Sequence, residues 1–156
     1  MTRIILTGLI GVMLFSAPAS ASEVDEALIL ETLESWAQGW AHQNAEIAVS
    51  DYADDADWTN AFGDRFRSKA ELQKGLEFIF GLDFVMTGES DGHQFDDITF
   101  LSSEVALVRS KLVRTKQRTS SGQLMPDRHI NHLRVYERRS GRWLIVSHMI
   151  SQEQRR

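Results

Sequence analysis

Tyr52–Glu71 reads YADDADWTNAFGDRFRSKAE. The stretch divides into a helix end at Tyr52, an acidic turn at Asp54 and Asp55, and a short strand over Asp57–Phe62. A turn at Gly63 and Asp64 and a new helix start at Ser68 follow. Side chains alternate across a strand with period two, so Trp58, Asn60 and Phe62 share one side. A helix feeding a strand whose face carries an aromatic, an amide and an aromatic predicts the wall of a pocket.

Upstream, Val24–His42 has the spacing of an amphipathic helix. Val24, Leu28, Leu33, Trp36, Ala37 and Trp40 fall on one stripe. Ser22 is positioned as its N-cap, with Glu23, Asp25 and Glu26 in the first turn, where the helix dipole favours acids. Asn44 can cap a second, shorter helix that turns Ala45, Ala48, Val49 and Tyr52 inward. Downstream, Ser68-Lys69-Ala70-Glu71 fits a capping box, and a third helix is predicted from Lys69 to about Phe80.

The second half differs in kind. His93–Leu101, Glu104–Arg118, Arg128–Arg139 and Arg142–Ser151 read as strands. Ser102-Ser103, a loop containing Gly122 and Pro126, and a tight Ser140-Gly141 turn join them. Helices followed by long antiparallel strands predict an α+β fold, with three N-terminal helices packed on one face of a curved, mainly antiparallel sheet. Val105/Leu107 and Ala106/Val108 make both faces of the strand after Ser103 apolar, so a second copy of the chain is expected to cover the outer face as a homodimer.

At the N-terminus, Arg3, the apolar run Ile4–Phe15 and Ala19-Ser20-Ala21 fit a signal peptide over residues 1–21. The apolar run is shorter than the roughly 20 residues a membrane span needs. An exported, periplasmic or secreted single domain over residues 22–156 is expected. The 17 Lys and Arg, Arg3 among them, stand against 22 Asp and Glu. That balance argues against nucleic acid or an anionic membrane as the main partner. The sequence contains no cysteine, which excludes disulfides, thiol chemistry and Cys-based zinc sites.

The residues YADDADWTNAFG, the Arg67-Ser68 helix entry and the closing GRWLIVSHMIS resemble the nuclear-transport-factor-2-like superfamily, most closely its SnoaL-like and SgcJ/EcaC-type branches. The resemblance spans the chain after the leader and implies a cone-shaped, cystatin-like roll around a small-molecule pocket. It also implies isomerase, dehydratase, hydrolase or cyclase chemistry, or none, because one fold hosts many reactions. In the ketosteroid isomerase branch the general-base aspartate would fall on Asn60, the oxyanion-binding tyrosine on Trp36 and the second acid near His132. An amide takes no proton at neutral pH and an indole only donates, so the steroid-isomerase mechanism does not carry over.

The candidate ligand-binding residues are Trp36, Trp40, Trp58, Asn60, Phe62 and Ile150. Trp36 and Trp40 suit a plain core equally well. The candidate acid–base groups are His148, His132 and Tyr52. Histidine titrates near neutral pH, and His148 shares a strand face with Val146 and Ile150. A structural histidine within the sheet is the competing reading for each, as it is for His93 and His129. No metal is expected, because His129 and His132 on a strand point to opposite faces. No cofactor is expected either, since no dinucleotide fingerprint is present. The acidic turn and the basic rows Arg109–Arg118 and Arg134–Arg142 are read as architecture, and Asp96 and Asp97 as split between solvent and the pocket rim. Two functions stay open: a cofactor-free lyase, isomerase or hydrolase-type acid–base catalyst acting on an apolar or aromatic molecule, and a non-catalytic ligand-binding or dimeric interaction module.

Overall fold

A computed structural model describes residues 21–153, without the side chains of Ala21, His93 and Asp96. The expected leader, apart from Ala21, and the readings of His93 and Asp96 lie outside the described residues. Among the described residues, four helices and six strands follow in order: α1 (Ala21–Ala41), α2 (Ala45–Ala48), β1 (Tyr52–Thr59), β2 (Arg65–Phe66), α3 (Lys69–Phe80), α4 (Asp83–Met86), β3 (Glu89–Phe100), β4 (Val105–Thr115), β5 (Arg128–Arg139) and β6 (Arg142–Gln152). The strands form one sheet in the order β2-β1-β6-β5-β4-β3. Only β1 runs parallel to its neighbour, β6. The α+β roll of helices on a mainly antiparallel sheet is therefore the observed fold. The strand after Ser103, β4, whose two faces are apolar, stands next to the edge strand β3.

The helices bury one face against the sheet. Ile29 and Trp36 of α1 and Leu72, Leu76 and Phe80 of α3 share a core with Ala106, Val108, Tyr136, Trp143 and Ile145. The stripe on α1 is turned from the expected one. Val24 and Leu28 are 47% and 40% exposed, while Ile29 and Thr32 are buried. Thr32 is accommodated because its hydroxyl bonds Ile29 O at 2.7 Å and Tyr136 Oη at 2.6 Å. Asp25 serves tertiary structure as well as the helix dipole: it pairs with Arg138 and accepts from Trp143 Nε1.

The opening stretch folds differently from its reading. Helix α2 stops at Ala48, and Tyr52 already pairs with Ile145 in the sheet. A register shift between Tyr52 and Asp57 bulges β1, so Tyr52, Ala53 and Ala56 are all buried. Three inward residues at that spacing imitate a helix. Asp54 and Asp55 consequently stand on the bulge and not at a helix end. Arg139 pairs with Asp55 and holds its carboxyl below the usual range, and Arg65 does the same for Asp57. The strand ends at Thr59, before Asn60 and Phe62.

Ser68 caps α3 as expected, accepting from Glu71 N at 3.1 Å, while Glu71 reaches back to Arg67 N at 2.8 Å and not to Ser68. In the β5–β6 turn, Ser140 and Gly141 have φ of 51° and 79°, the left-handed pair that matches strand twist in a two-residue hairpin.

Gly39 sits where α1 meets α2. A Cβ there would lie 2.4 Å from Ala48 N and 2.5 Å from Ala48 Cα. Helix propensity alone predicts that Gly39→Ala stabilises by about 0.5–1 kcal/mol. Overpacking against backbone costs about 1–3 kcal/mol, so the variant should be net destabilised, read as a lower urea midpoint with unchanged slope. A higher midpoint would show that α2 moves aside freely.

Candidate functional site

The concave face of β4 and β5 is read off their register. Ala106 faces Tyr136, Val108 faces Arg134, Ser110 faces His132, Leu112 faces Ile130, and Arg114 faces Arg128. These rungs run from the packed core out to a cavity of about 1290 Å³, whose lining begins at Ser110 and His132 and includes Leu112, Ile130, Arg114 and Arg128. Trp36, Trp40 and Trp58 close its deep end.

At that end three titratable side chains form a chain. Tyr52 Oη lies 2.6 Å from His148 Nδ1, and His148 Nε2 lies 2.9 Å from His132 Nδ1. All three are buried, yet of the three only His132 lines the cavity. Arg134, with no exposed surface, places Nη2 3.4 Å from His132 Nδ1 and Nη1 2.9 Å from Ser110 Oγ. Its guanidinium also lies 5.8 Å from the Trp36 ring centroid.

Arg134 sets the direction of the chain. A guanidinium can only donate, so His132 Nδ1 is the acceptor and its hydrogen is on Nε2. His148 Nε2–H then donates to His132, and His148 Nδ1 accepts from the Tyr52 hydroxyl. Burial pushes the Tyr52 phenol far above its ordinary value, with the Arg134 charge opposing, so the tyrosine holds its proton.

Arg134 has no carboxylate partner among the described residues, whereas Arg65, Arg109, Arg138, Arg139 and Arg142 each pair with an acid. A buried charge left unneutralised costs several kcal/mol, roughly. The indole N–H groups of Trp40 and Trp58 are also buried with no acceptor among the described residues.

The expected site residues are thus partly gathered. His132, His148 and Tyr52 meet in one chain. Trp36, Trp40, Trp58 and Ile150 line the cavity. The bulge beside Val146 places it outside the alternation, and Trp143, Ile145 and His148 are the buried residues of β6.

Asn60 and Phe62 lie at the cavity wall without the expected inward geometry. Asn60 Oδ1 accepts from Phe62 N and Asp64 N, both at 2.9 Å, and its Nδ2 donates to Asp64 Oδ2 at 2.9 Å. The amide expected to face a ligand is spent on an Asx-type turn. Phe62 is 69% exposed.

Arg134, Ser110, Arg114 and Arg128 were not anticipated as site residues. The signal was present, since period two places residues 128 and 134 on the same face as His132.

No protein-family model matches the sequence, and no curated protein matches it. Solved structures do. A cystatin-like domain of unknown function from Nostoc punctiforme superposes with a TM-score of 0.71 at 17% identity, covering 88% of this chain and 81% of that one. A ketosteroid isomerase-like protein from Erwinia carotovora atroseptica gives 0.70 at 15% identity, over 83% and 96%. A hexachlorocyclohexane dehydrochlorinase gives 0.69 at 14% identity, over 85% and 88%. These identities speak to architecture alone: the chain has the cystatin-like, nuclear-transport-factor-2-like fold.

Proposed function

We propose that the chain binds an apolar or aromatic molecule carrying a carbonyl or hydroxyl oxygen, and that His132 Nε2–H polarises that oxygen as a hydrogen-bond donor that keeps its proton. The observation that carries this reading is the donor direction of the Tyr52–His148–His132 chain, set by Arg134. A buried donor preorganised beside a fixed positive charge stabilises negative charge developing on a bound oxygen. The proton stays on the chain, because passing it on would leave a buried tyrosinate, the state that burial disfavours at Tyr52. The named isomerase-like and dehydrochlorinase neighbours make proton-transfer chemistry familiar on this fold.

A second reading, a ligand-binding protein without turnover, is favoured by one fact. Among the described residues, the hydrogen bonds from the Ser110–His132 rung to His148 and Arg134 supply no carboxylate base.

The test is a thermal-shift comparison of ketones and phenols with their deoxygenated hydrocarbon analogues, on the parent chain and on His132→Leu. A ligand at a hundred times its dissociation constant adds about 2.7 kcal/mol. Oxygenated compounds should stabilise the parent chain more than their analogues, and His132→Leu should erase the difference. Equal shifts from both series in the parent chain would sink the donor reading and leave the second one.

A further inference from the structure

Four residues outward from the Ser110–His132 rung, Arg114 and Arg128 face each other across β4 and β5, and both line the cavity. Like charges placed directly opposite on neighbouring strands repel. Neither arginine has a carboxylate partner among the described residues, although the surrounding basic side chains do: Arg109 pairs with Asp97 and Lys116 with Glu89. Burial lowers the pKa of Arg114 from its ordinary value, and burial together with the Arg114 charge does the same for Arg128.

Both guanidiniums are held in place by neutral groups. Arg114 Nη2 donates to Val85 O and Thr87 O, each at 2.9 Å, and its Nε is buried without an acceptor. Arg128 Nε donates to Gln152 Oε1 at 2.8 Å, Nη1 approaches Gln117 Oε1 at 3.4 Å, and the guanidinium lies 5.7 Å from the Phe62 ring centroid. Gln117, itself buried, is anchored through Nε2 to Phe84 O and Val85 O at 3.1 Å. With five N–H donors on each guanidinium, Arg114 Nη1 and Arg128 Nη2 remain without a protein acceptor among the described residues.

The carboxylates that also reach the cavity wall are occupied elsewhere. Glu34 bonds Gln38, Asp64 bonds Asn60, and Glu71 bonds Arg67 N. A chain with an excess of acidic residues therefore places two arginines side by side at its cavity, with no carboxylate partner for either among the described residues.

We propose that Arg114 and Arg128 together form a subsite for the oxyanion end of the ligand, a carboxylate or a phosphate, so that the natural ligand is an anionic amphiphile. The proposal rests on the oxygen-polarising reading of the deep end and adds the second pole. A rise of about 3.4 Å per strand residue sets the two rungs roughly 14 Å apart along the strands, with Leu112 and Ile130 forming an apolar rung between them. The ligand is elongated: a carbonyl or hydroxyl oxygen at His132, an apolar body against the tryptophans and the middle rung, and an anionic group at the arginine pair. Planar forks favour bidentate recognition of either oxyanion.

The experiment is calorimetric titration of the full chain with three ligand series sharing one aryl-alkyl ketone body and ending in a carboxylate, a phosphate monoester or a neutral alcohol. The anionic members should bind about tenfold or more tighter than the alcohol, an advantage that shrinks as salt rises. Arg128→Met should remove most of that advantage, and the Arg114→Met/Arg128→Met pair all of it, with alcohol binding retained. Arg128→Lys should restore part of it, because charge returns without the fork. The carboxylate and phosphate arms show which oxyanion the pair selects.

Equal affinity for anionic and neutral members in the parent chain overturns the subsite, and that measurement needs no variant to fold. Anion preference that survives the double variant overturns it as well. If anion preference depends on the arginines but His132→Leu leaves every ligand unaffected, the subsite stands and the deep-end reading fails.

Discussion

An Arg134→Met chain should unfold at the same urea concentration as the parent or at a higher one, while its discrimination for oxygenated ligands falls by up to about tenfold, the scale of one hydrogen bond to a bound oxygen. The stability half follows from opposing terms of similar size. Removing an unneutralised buried guanidinium from the interior gains back several kcal/mol, roughly, of desolvation. Against this stand the charge-assisted bond to Ser110, about 1.5–3 kcal/mol, and the Trp36 cation–π contact, about 2 kcal/mol. Methionine fills most of the space left by the arginine stem.

The functional half follows because Arg134 acts through His132, as a positioning residue. Without it nothing fixes which nitrogen of His132 carries the hydrogen. Nitrogen-15 histidine spectra should show the Nε2–H form of His132 in the parent chain and a mixture of tautomers in Arg134→Met. A drop in stability beyond about 3 kcal/mol, the scale of breaking a needed buried pair, would show that Arg134 holds the fold and not the site.

Trp36→Ala should produce a different profile, with the largest loss of stability. The Trp36 ring is buried against Trp40, Tyr52 and His148, with centroids 5.6, 5.8 and 5.2 Å away. Truncating a buried tryptophan costs about 3–5 kcal/mol through lost transfer energy and the void left behind, which lowers Tm by roughly 10 °C or more in a domain of this size. Because Trp36 also packs on the chain at His148, ligand discrimination should fall together with stability, whereas Arg134→Met separates the two. A Trp36→Ala chain within about 1 kcal/mol of the parent would mean the neighbouring rings close over the gap. The cavity's deep end would then be soft rather than preorganised.

Much of the architecture is legible locally. Ser68 caps α3 because its hydroxyl needs only the amide three residues on, and Ser140-Gly141 turns because that pair adopts the left-handed backbone a tight hairpin requires. The alternation in Arg128–Arg139 identifies a strand with those bounds. These are short-range effects, decided within a few residues of where they are read.

The misread segments are those where a distant strand sets the local conformation. Tyr52–Ala56 carries a helix-like spacing, yet pairing with Ile145 draws it into the sheet as a bulge. Asn60 looks inward on a pattern of alternation, but the strand stops one residue earlier and its amide closes the turn to Asp64.

The division is the same at the site. Sequence alone determined the α+β class, the strand periodicity, the absence of thiols and the histidines and tyrosine available for proton chemistry. Only the tertiary structure decided that Tyr52, His148 and His132 join head to tail across 96 and 16 residues of chain, that Arg134 orients them, and that Arg114 stands opposite Arg128. The physical reason is register. A residue's face follows from its own strand, but its partner follows from how neighbouring strands slide past each other, and that is settled only when the whole sheet and its helices are packed.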